Sequence, residues 1–276
     1  TGGLNIDIGI MVPFFTEISM KRRLELIKEA GFTTFMLSLD PAHEKFTASL
    51  GEIVDHCNKI GLKIVCGHAP YKDPDVNDFW LEGEAGDLIE KEFTKVLYTA
   101  HEYGVSTVVY HLHFENEVSV SMSGIERLKR MVAIAERLNV NIAVENLYKY
   151  DELGYIFDHI KSNNLGMCYD CGHENFLTPN ADFIFKYGDR LMSTHIHDNN
   201  GLQDQHKTPF TGSIDWENIA KGLANANNVS LEAEVRIYRP EGKDKITEEE
   251  LLELLKKEYS AMKRLATMVE AIRKEN

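Results

Sequence analysis

Histidine and carboxylate residues recur along this chain in short clusters at regular intervals. Gly67-His68-Ala69-Pro70-Tyr71 comes first, then Tyr110-His111-Leu112-His113 and Val144-Glu145-Asn146. Tyr169-Asp170-Cys171-Gly172-His173 and Thr194-His195-Ile196-His197-Asp198 follow, then Asp204-Gln205-His206 and Leu231-Glu232-Ala233-Glu234. A lone histidine or glutamate carries little information. A series of them delivered to one place costs several kcal/mol per buried charge unless something compensates. Divalent cations are the natural compensation. Imidazole with carboxylate suits zinc, manganese or iron(II) rather than calcium or thiolate-bound zinc.

The elements around these clusters say how they meet. Each cluster falls in or at the end of a short β-rich run, except Asp204-Gln205-His206 in the loop after the seventh, and each run is followed by an amphipathic stretch with helical period. Strands read at residues 5–12, 33–39, 62–67, 105–110, 140–145, 165–169, 191–196 and 229–235. Helices read at 20–30, 44–60, 86–103, 122–138, 152–162, 181–187, 214–224 and 247–274. Ser19 caps the first helix, Gly31 and Gly61 close the first two, and Thr247 with Glu250 forms a capping box at the last. Eight strand–helix units without a linker predict an α/β fold, a (β/α)8 TIM barrel made as a single domain over residues 1–276. An open doubly wound sheet would carry a glycine-rich loop after its first strand, whereas Met11-Val-Pro-Phe-Phe15 has no glycine. In a barrel the reactive groups sit at the C-terminal strand ends, where these clusters fall. Residues i and i+2 share a strand face, so Glu232 and Glu234 point the same way, as do His195 and His197, and His111 and His113.

Composition narrows the partners. The net charge is −14 over 276 residues, which repels duplex DNA unless a basic patch or bound dications reverse the field. The basic runs Lys21-Arg22-Arg23 and Lys256-Lys257 lie in helical segments with acidic neighbours. This favours a small-molecule substrate over nucleic acid. No apolar run is long enough for a membrane span and no secretory signal is visible. The four cysteines read as reduced and the protein as cytoplasmic. Cys168-Tyr-Asp-Cys171 reads as a packed strand residue and a loop residue rather than a redox pair. A homo-oligomer is left open.

The ordered set of motifs resembles the xylose isomerase-like TIM barrels, which join sugar isomerases and epimerases with endonuclease IV. The resemblance covers essentially the whole chain. It rests on His68-Ala-Pro-Tyr71, Val144-Glu-Asn146, Asp170-Cys-Gly-His173, His195-Ile-His-Asp-Asn-Asn-Gly201, Asp204-Gln-His206 and Gly212-Ser-Ile-Asp-Trp216. It implies His68, His111 and Glu145 on one ion, with Glu145 shared by a second ion on Asp170, His195 and Glu232. His173, Asp204 and His206 would hold a third. It favours His195 over His197 and Glu232 over Glu234 as ligands. The sugar-acting members typically use one metal at the Glu145, Asp170, His195 and Glu232 positions. Two departures stand out. Tyr71 is followed by the acidic loop Lys72-Asp-Pro-Asp-Val-Asn-Asp-Phe-Trp80, and His111-Leu-His replaces the usual His-Pro-Gly.

The first functional expectation is a divalent-metal-dependent isomerase or epimerase of a sugar or sugar phosphate, working through a metal-stabilised enediolate. Glu145 and Glu232 would move the proton, and His197, Arg236 and Tyr71 would bind substrate. Zinc, manganese or iron would serve, as one to three ions. The second expectation is an endonuclease IV-like zinc phosphoesterase, drawn from the complete ligand set. A lyase or dehydratase using the same enolate chemistry is the third. A barrel that binds without catalysis is a separate class, and the intact acid–base set argues against it.

Overall fold

The structure, a computed structural model, describes residues 6–11, 15–40, 48–115, 117–227 and 230–275. Eight parallel strands form one sheet: β1 (Ile8–Ile10), β2 (Thr34–Ser38), β3 (Lys63–His68), β4 (Thr107–Tyr110), β5 (Asn141–Glu145), β6 (Leu165–Asp170), β7 (Leu191–His195) and β8 (Leu231–Ala233). Neighbours in sequence are neighbours in space, and β1 pairs with both β2 and β8. The last seam is closed just beyond β7. There the Ile196 amide donates to Glu232 O at 2.8 Å and the Glu234 amide donates to Ile196 O at 3.2 Å. The result is the (β/α)8 barrel that the alternation predicts.

Nine helices clad the described residues: α1 (Met20–Ala30), α2 (Leu50–Ile60), α3 (Glu84–Glu102), α4 (Met122–Leu138), α5 (Glu152–His159), α6 (Cys171–Leu177), α7 (Phe183–Tyr187), α8 (Trp216–Asn225) and α9 (Glu248–Glu275). Their ends follow local chemistry. The Ser19 and Ser121 hydroxyls accept the orphan amides of Arg22 and Gly124. Ser49 and Glu52 form a capping box, and so do Thr247 and Glu250. Gly31 and Gly61 end α1 and α2 at φ 113° and 69°, a left-handed region that a Cβ disfavours. The first helical turn expected at 44–47, and parts of the strands expected at 5–12 and 229–235, lie outside the described residues.

Two elements differ from the sequence reading. Helix α6 starts directly after β6, where a loop was expected, so Cys171 is helical. Its seven residues include Gly172 and Asn175 and carry no apolar period. What makes the helix is Asp170, whose Oδ1 accepts the His173 amide at 2.7 Å as an N-cap. The acidic loop after Tyr71 is also not open: residues Val76–Trp80 form a 3-10 turn that buries Phe79 and Trp80.

Core side chains fill both layers, between sheet and helices and inside the barrel. All four cysteines are free and buried. Cys168 lies inside the barrel with Val109 and Ala143, where burial pushes its thiol up to about 12, so it stays protonated. No described helix is long and apolar enough to cross a membrane.

Candidate metal centre

Glu145 ends β5 at 1% exposure, and four imidazole nitrogens converge on its carboxylate. His68 Nε2 lies at 3.3 Å, His111 Nε2 at 2.8 Å, His195 Nδ1 at 3.2 Å and His173 Nδ1 at 3.0 Å. They come from the ends of β3 and β7, the residue after β4, and the first turn of α6. Two further acids join from the neighbouring strands. His195 Nδ1 is 3.1 Å from Glu234 Oε2 and 3.7 Å from Asp170 Oδ2. One ligand atom each from Glu145, Asp170, His195 and Glu234 lies within 4.8 Å of the others. His68, His111 and Glu145 form a second such group, and His173, His197, Asp204 and His206 a third. These groups share residues or adjoin.

Several of these atoms lack the hydrogen bonds that burial demands. Glu145 Oε1 and His173 Nδ1 lie 3.0 Å apart, yet neither has a hydrogen-bond partner. Both nitrogens of His195, Nδ1 of His111 and of His197, and Oδ1 of Asp204 are buried and equally unpartnered. Groups this close need positive charge between them, a proton on His173 in the metal-free protein or a cation in its place. A divalent cation supplies that charge, and the donor set of imidazole and carboxylate fits zinc, manganese or iron.

The second layer of contacts fixes these side chains. His68 Nδ1–H donates to Ala69 O at 2.7 Å, and His206 Nδ1–H donates to Glu234 O at 2.6 Å. Each bond leaves Nε2 directed at the cluster, the usual arrangement of a ligating histidine. The Asn146 side chain accepts the Asp170 amide at 2.8 Å and donates to Asp170 O at 2.9 Å, extending the β5–β6 pairing under the site.

Electrostatics follow from packing. Burial opposes ionisation of Glu145, but His111 and His195 outweigh it and hold the carboxyl well below its usual range. Burial likewise opposes a charged Asp170, and His173 with His197 overrules it. Burial disfavours a charged His173, yet Asp170 and Glu145 raise it to about 10. His206 rises to about 9, because its bond to Asp204 outweighs burial. On His111 burial wins, and its pKa falls.

Of the expected ligands, His68, His111, Glu145, Asp170, His173, His195, Asp204 and His206 fall in these groups. Glu232 does not, and Glu234 takes its place. Glu232 pairs in register with Gly9, whose missing side chain leaves the space its carboxylate occupies. Its Oε1 accepts hydroxyls from Thr34 at 2.7 Å and Ser230 at 2.8 Å, inside the barrel below the rim. Glu234 is two residues further along, about 6.6 Å higher at strand rise, and reaches the cluster.

Among the expected substrate contacts, Tyr71 and Arg236 line a cavity of about 400 Å³ that opens beside His68, His206 and Glu234. Tyr71 lies against His111, with ring centroids 4.7 Å apart. His197 is fully buried instead and does not line that cavity. Its Nε2 sits 3.1 Å from Asp170 Oδ1, and its ring stacks on His206 at 4.0 Å. His197 is thus part of the third group. Alternation put His195 and His197 on one face, and the resemblance favoured His195 alone as a ligand; the structure brings both to the cluster. His113 is structural: Nδ1 faces Glu152 Oε1 at 2.8 Å, and Nε2 accepts the Tyr148 amide.

The chain matches the family described as xylose isomerase-like TIM barrel over residues 24–258. It belongs to that family. The protein y4fM of Sinorhizobium fredii is 42% identical, the match covering 75% of this chain and 78% of the relative. In fold, the chain is similar to a D-tagatose 3-epimerase-like protein, with a TM-score of 0.75 at 20% identity, covering 96% of this chain and 99% of the other. It is also similar to the IOLI protein crystallised with a bound zinc atom, with a TM-score of 0.74 at 19% identity, covering 95% and 98%.

Proposed function

We propose that this protein is a divalent-metal-dependent isomerase or epimerase acting on a sugar or sugar phosphate. One observation carries the reading. The carboxylates of Glu145 and Glu234 both reach the group shared with Asp170 and His195, and Glu234 lines a cavity of about 400 Å³ beside it. The D-tagatose 3-epimerase-like protein among the folds this chain resembles supports the same class.

A dication held by Glu145, Asp170, His195 and Glu234 would polarise a substrate carbonyl and stabilise the enediolate formed on proton removal. The protein's own groups do the rest. Both glutamates are held below the usual carboxylate range, by His111 and His195 for Glu145 and by His195 for Glu234, in each case against burial. Both are therefore ionised at neutral pH and competent as bases. One removes the proton next to the carbonyl and later releases it to solvent; the other takes a proton from solvent and delivers it to the opposite face, which inverts the centre. His68 and Tyr71 wall the cavity beside Glu234 and exclude water from one side of the reacting carbons.

The test is proton exchange. Ketoses and their phosphates are incubated with the metal-loaded protein in deuterium oxide, and label next to the carbonyl is followed by NMR. Label should enter only with metal present, and E145Q and E234Q should each slow it by about 100-fold or more. Absence of exchange across the panel would overturn the reading. Cleavage of phosphate esters in its place would establish the phosphoesterase alternative. That alternative draws support from the third group, His173, His197, Asp204 and His206, which proton transfer does not require.

A further inference from the structure

Arg23 lies in the run Lys21-Arg22-Arg23, whose composition suggests a solvated helix face. Arg22 fits that picture and pairs with Glu25 and Glu248. Arg23 does not. It falls on the inner stripe of α1 with Leu24 and Ile27 and is 2% exposed. Its Nε and Nη1 are buried and have no hydrogen-bond partner. Glu17 is the acid nearest in effect, but it forms no ion pair with Arg23. The Glu17 carboxylate is held instead by Arg239, at 2.9 to 3.1 Å, and by the Ile246 amide at 3.0 Å.

A buried guanidinium without partners is costly, and removing an ion's partner typically destabilises by several kcal/mol. Arg23 lines the same cavity of about 400 Å³ that opens beside Glu234 and His206. Two more cations line it, Lys72 and Arg236, both exposed. Of the acids there, Glu234 is committed to His195, and Asp40 is itself partnered. The cavity thus has a reacting end of carboxylates and imidazoles and a separate cationic wall. Around that wall Met20, Phe35, Leu37 and Leu50 leave little to solvate a charge.

We propose that the substrate carries an anionic group, a carboxylate or a phosphate ester, and that Arg23 is the specificity-determining residue that binds it. The planar fork of Nε–H and Nη–H matches two oxygens of such a group. The charge that costs stability in the free protein becomes binding energy when the anion arrives. The inference deepens the proposed function and rests on that function's reading of the cavity as the substrate site.

The experiment is calorimetric titration of the metal-loaded protein with matched pairs: D-ribulose against D-ribulose 5-phosphate, and D-glucose against D-glucuronate. At least one anionic member should bind about 10- to 100-fold more tightly than its neutral partner, as expected for hydrogen bonds to a charged group. R23M should erase that preference and leave the neutral sugars unchanged. Ligand-free R23M should melt no lower than the wild type, because it removes an unpaired buried charge. R23Q is titrated alongside, so that a folding defect in one variant does not decide the outcome. The proposal is overturned if neither anionic member binds more tightly than its partner, or if the preference survives in a folded variant. The two pairs separate a phosphate from a carboxylate. Deuterium exchange on neutral sugars with no anion preference would sink this inference and leave the isomerase reading standing. An Arg23-dependent preference without any exchange would do the reverse.

Discussion

Glu232 and Glu234 share a strand face and differ in everything else. Burial raises Glu232 above the ordinary carboxylate value, while Thr34 and Ser230 only partly offset it, and its Oε2 has no partner. Glu234 is pulled down by His195 against burial. E232Q should therefore keep full metal content and fold normally, since a glutamine oxygen accepts the same two hydroxyls. E234Q should lower the affinity for the ion shared with Glu145, Asp170 and His195 by at least about 10- to 100-fold, the loss seen when even an outer partner of a ligand is removed. Elemental analysis of both variants after dialysis decides between them, and equal loss in the two would refute the assignment to Glu234. The sequence put both glutamates on one face of the strand but could not set their height. Height depends on the register of β8 against β1, and thus on Gly9 leaving room for the lower one. Arg23 was hidden for a similar reason. A basic triplet on an amphipathic helix reads as solvated, and only the angular position of its third member turns it into the cavity.

At the scale of elements, the segment after β7 shows how a motif becomes a support. Asp198 accepts the amides of Asn199 at 2.9 Å, Gly212 at 2.9 Å and Ile214 at 3.3 Å, and the Trp216 indole N–H at 3.0 Å. The stretch Gly212-Ser-Ile-Asp-Trp216 thus folds back onto the Asp of His195-Ile-His-Asp198. A side chain at 212 would strike Asp198, so glycine is needed for the close approach. Between the two anchors hang Asp204 and His206, and an antiparallel bridge of Asp198 with Lys207 ties them in. D198A should cost about 2–4 kcal/mol, since several donors lose a charged acceptor together. It should also weaken the ion on His173, Asp204 and His206 more than the one on Glu145. Urea unfolding gives the first quantity and metal stoichiometry the second; unchanged stoichiometry would show that the segment is held by other means. Long amphipathic helices such as α4 were legible to the residue, because seventeen residues sample the apolar period many times. Helix α6 was not legible, because its seven residues follow a strand without a break. A carboxylate of the candidate metal site also serves as its N-cap.

Across the whole molecule, the barrel gathers acids and imidazoles at one rim of a chain with net charge −14. With no disulfide among its cysteines, the rim is held by packing and by whatever balances its charges. In the metal-free protein, protons on His173 and His206 do part of that balancing, with pKa values raised to about 10 and about 9. A histidine whose folded pKa is raised contributes stability that is fully present below its unfolded value, near 6.5. That contribution is lost as pH rises through the folded value. The metal-free protein should therefore lose melting temperature between about pH 6.5 and pH 10, as these two protons become harder to keep. A bound dication needs the imidazoles neutral, so loading releases protons and escapes that loss. The gap in melting temperature between loaded and chelator-treated protein should accordingly widen as pH is raised from 6.5 to 9. Calorimetric titration of metal in buffers of different ionisation enthalpy should show proton release at pH 7 that shrinks toward pH 9.5. A gap that narrows with pH, or metal uptake without proton release, would mean that the rim is held by contacts other than its charges.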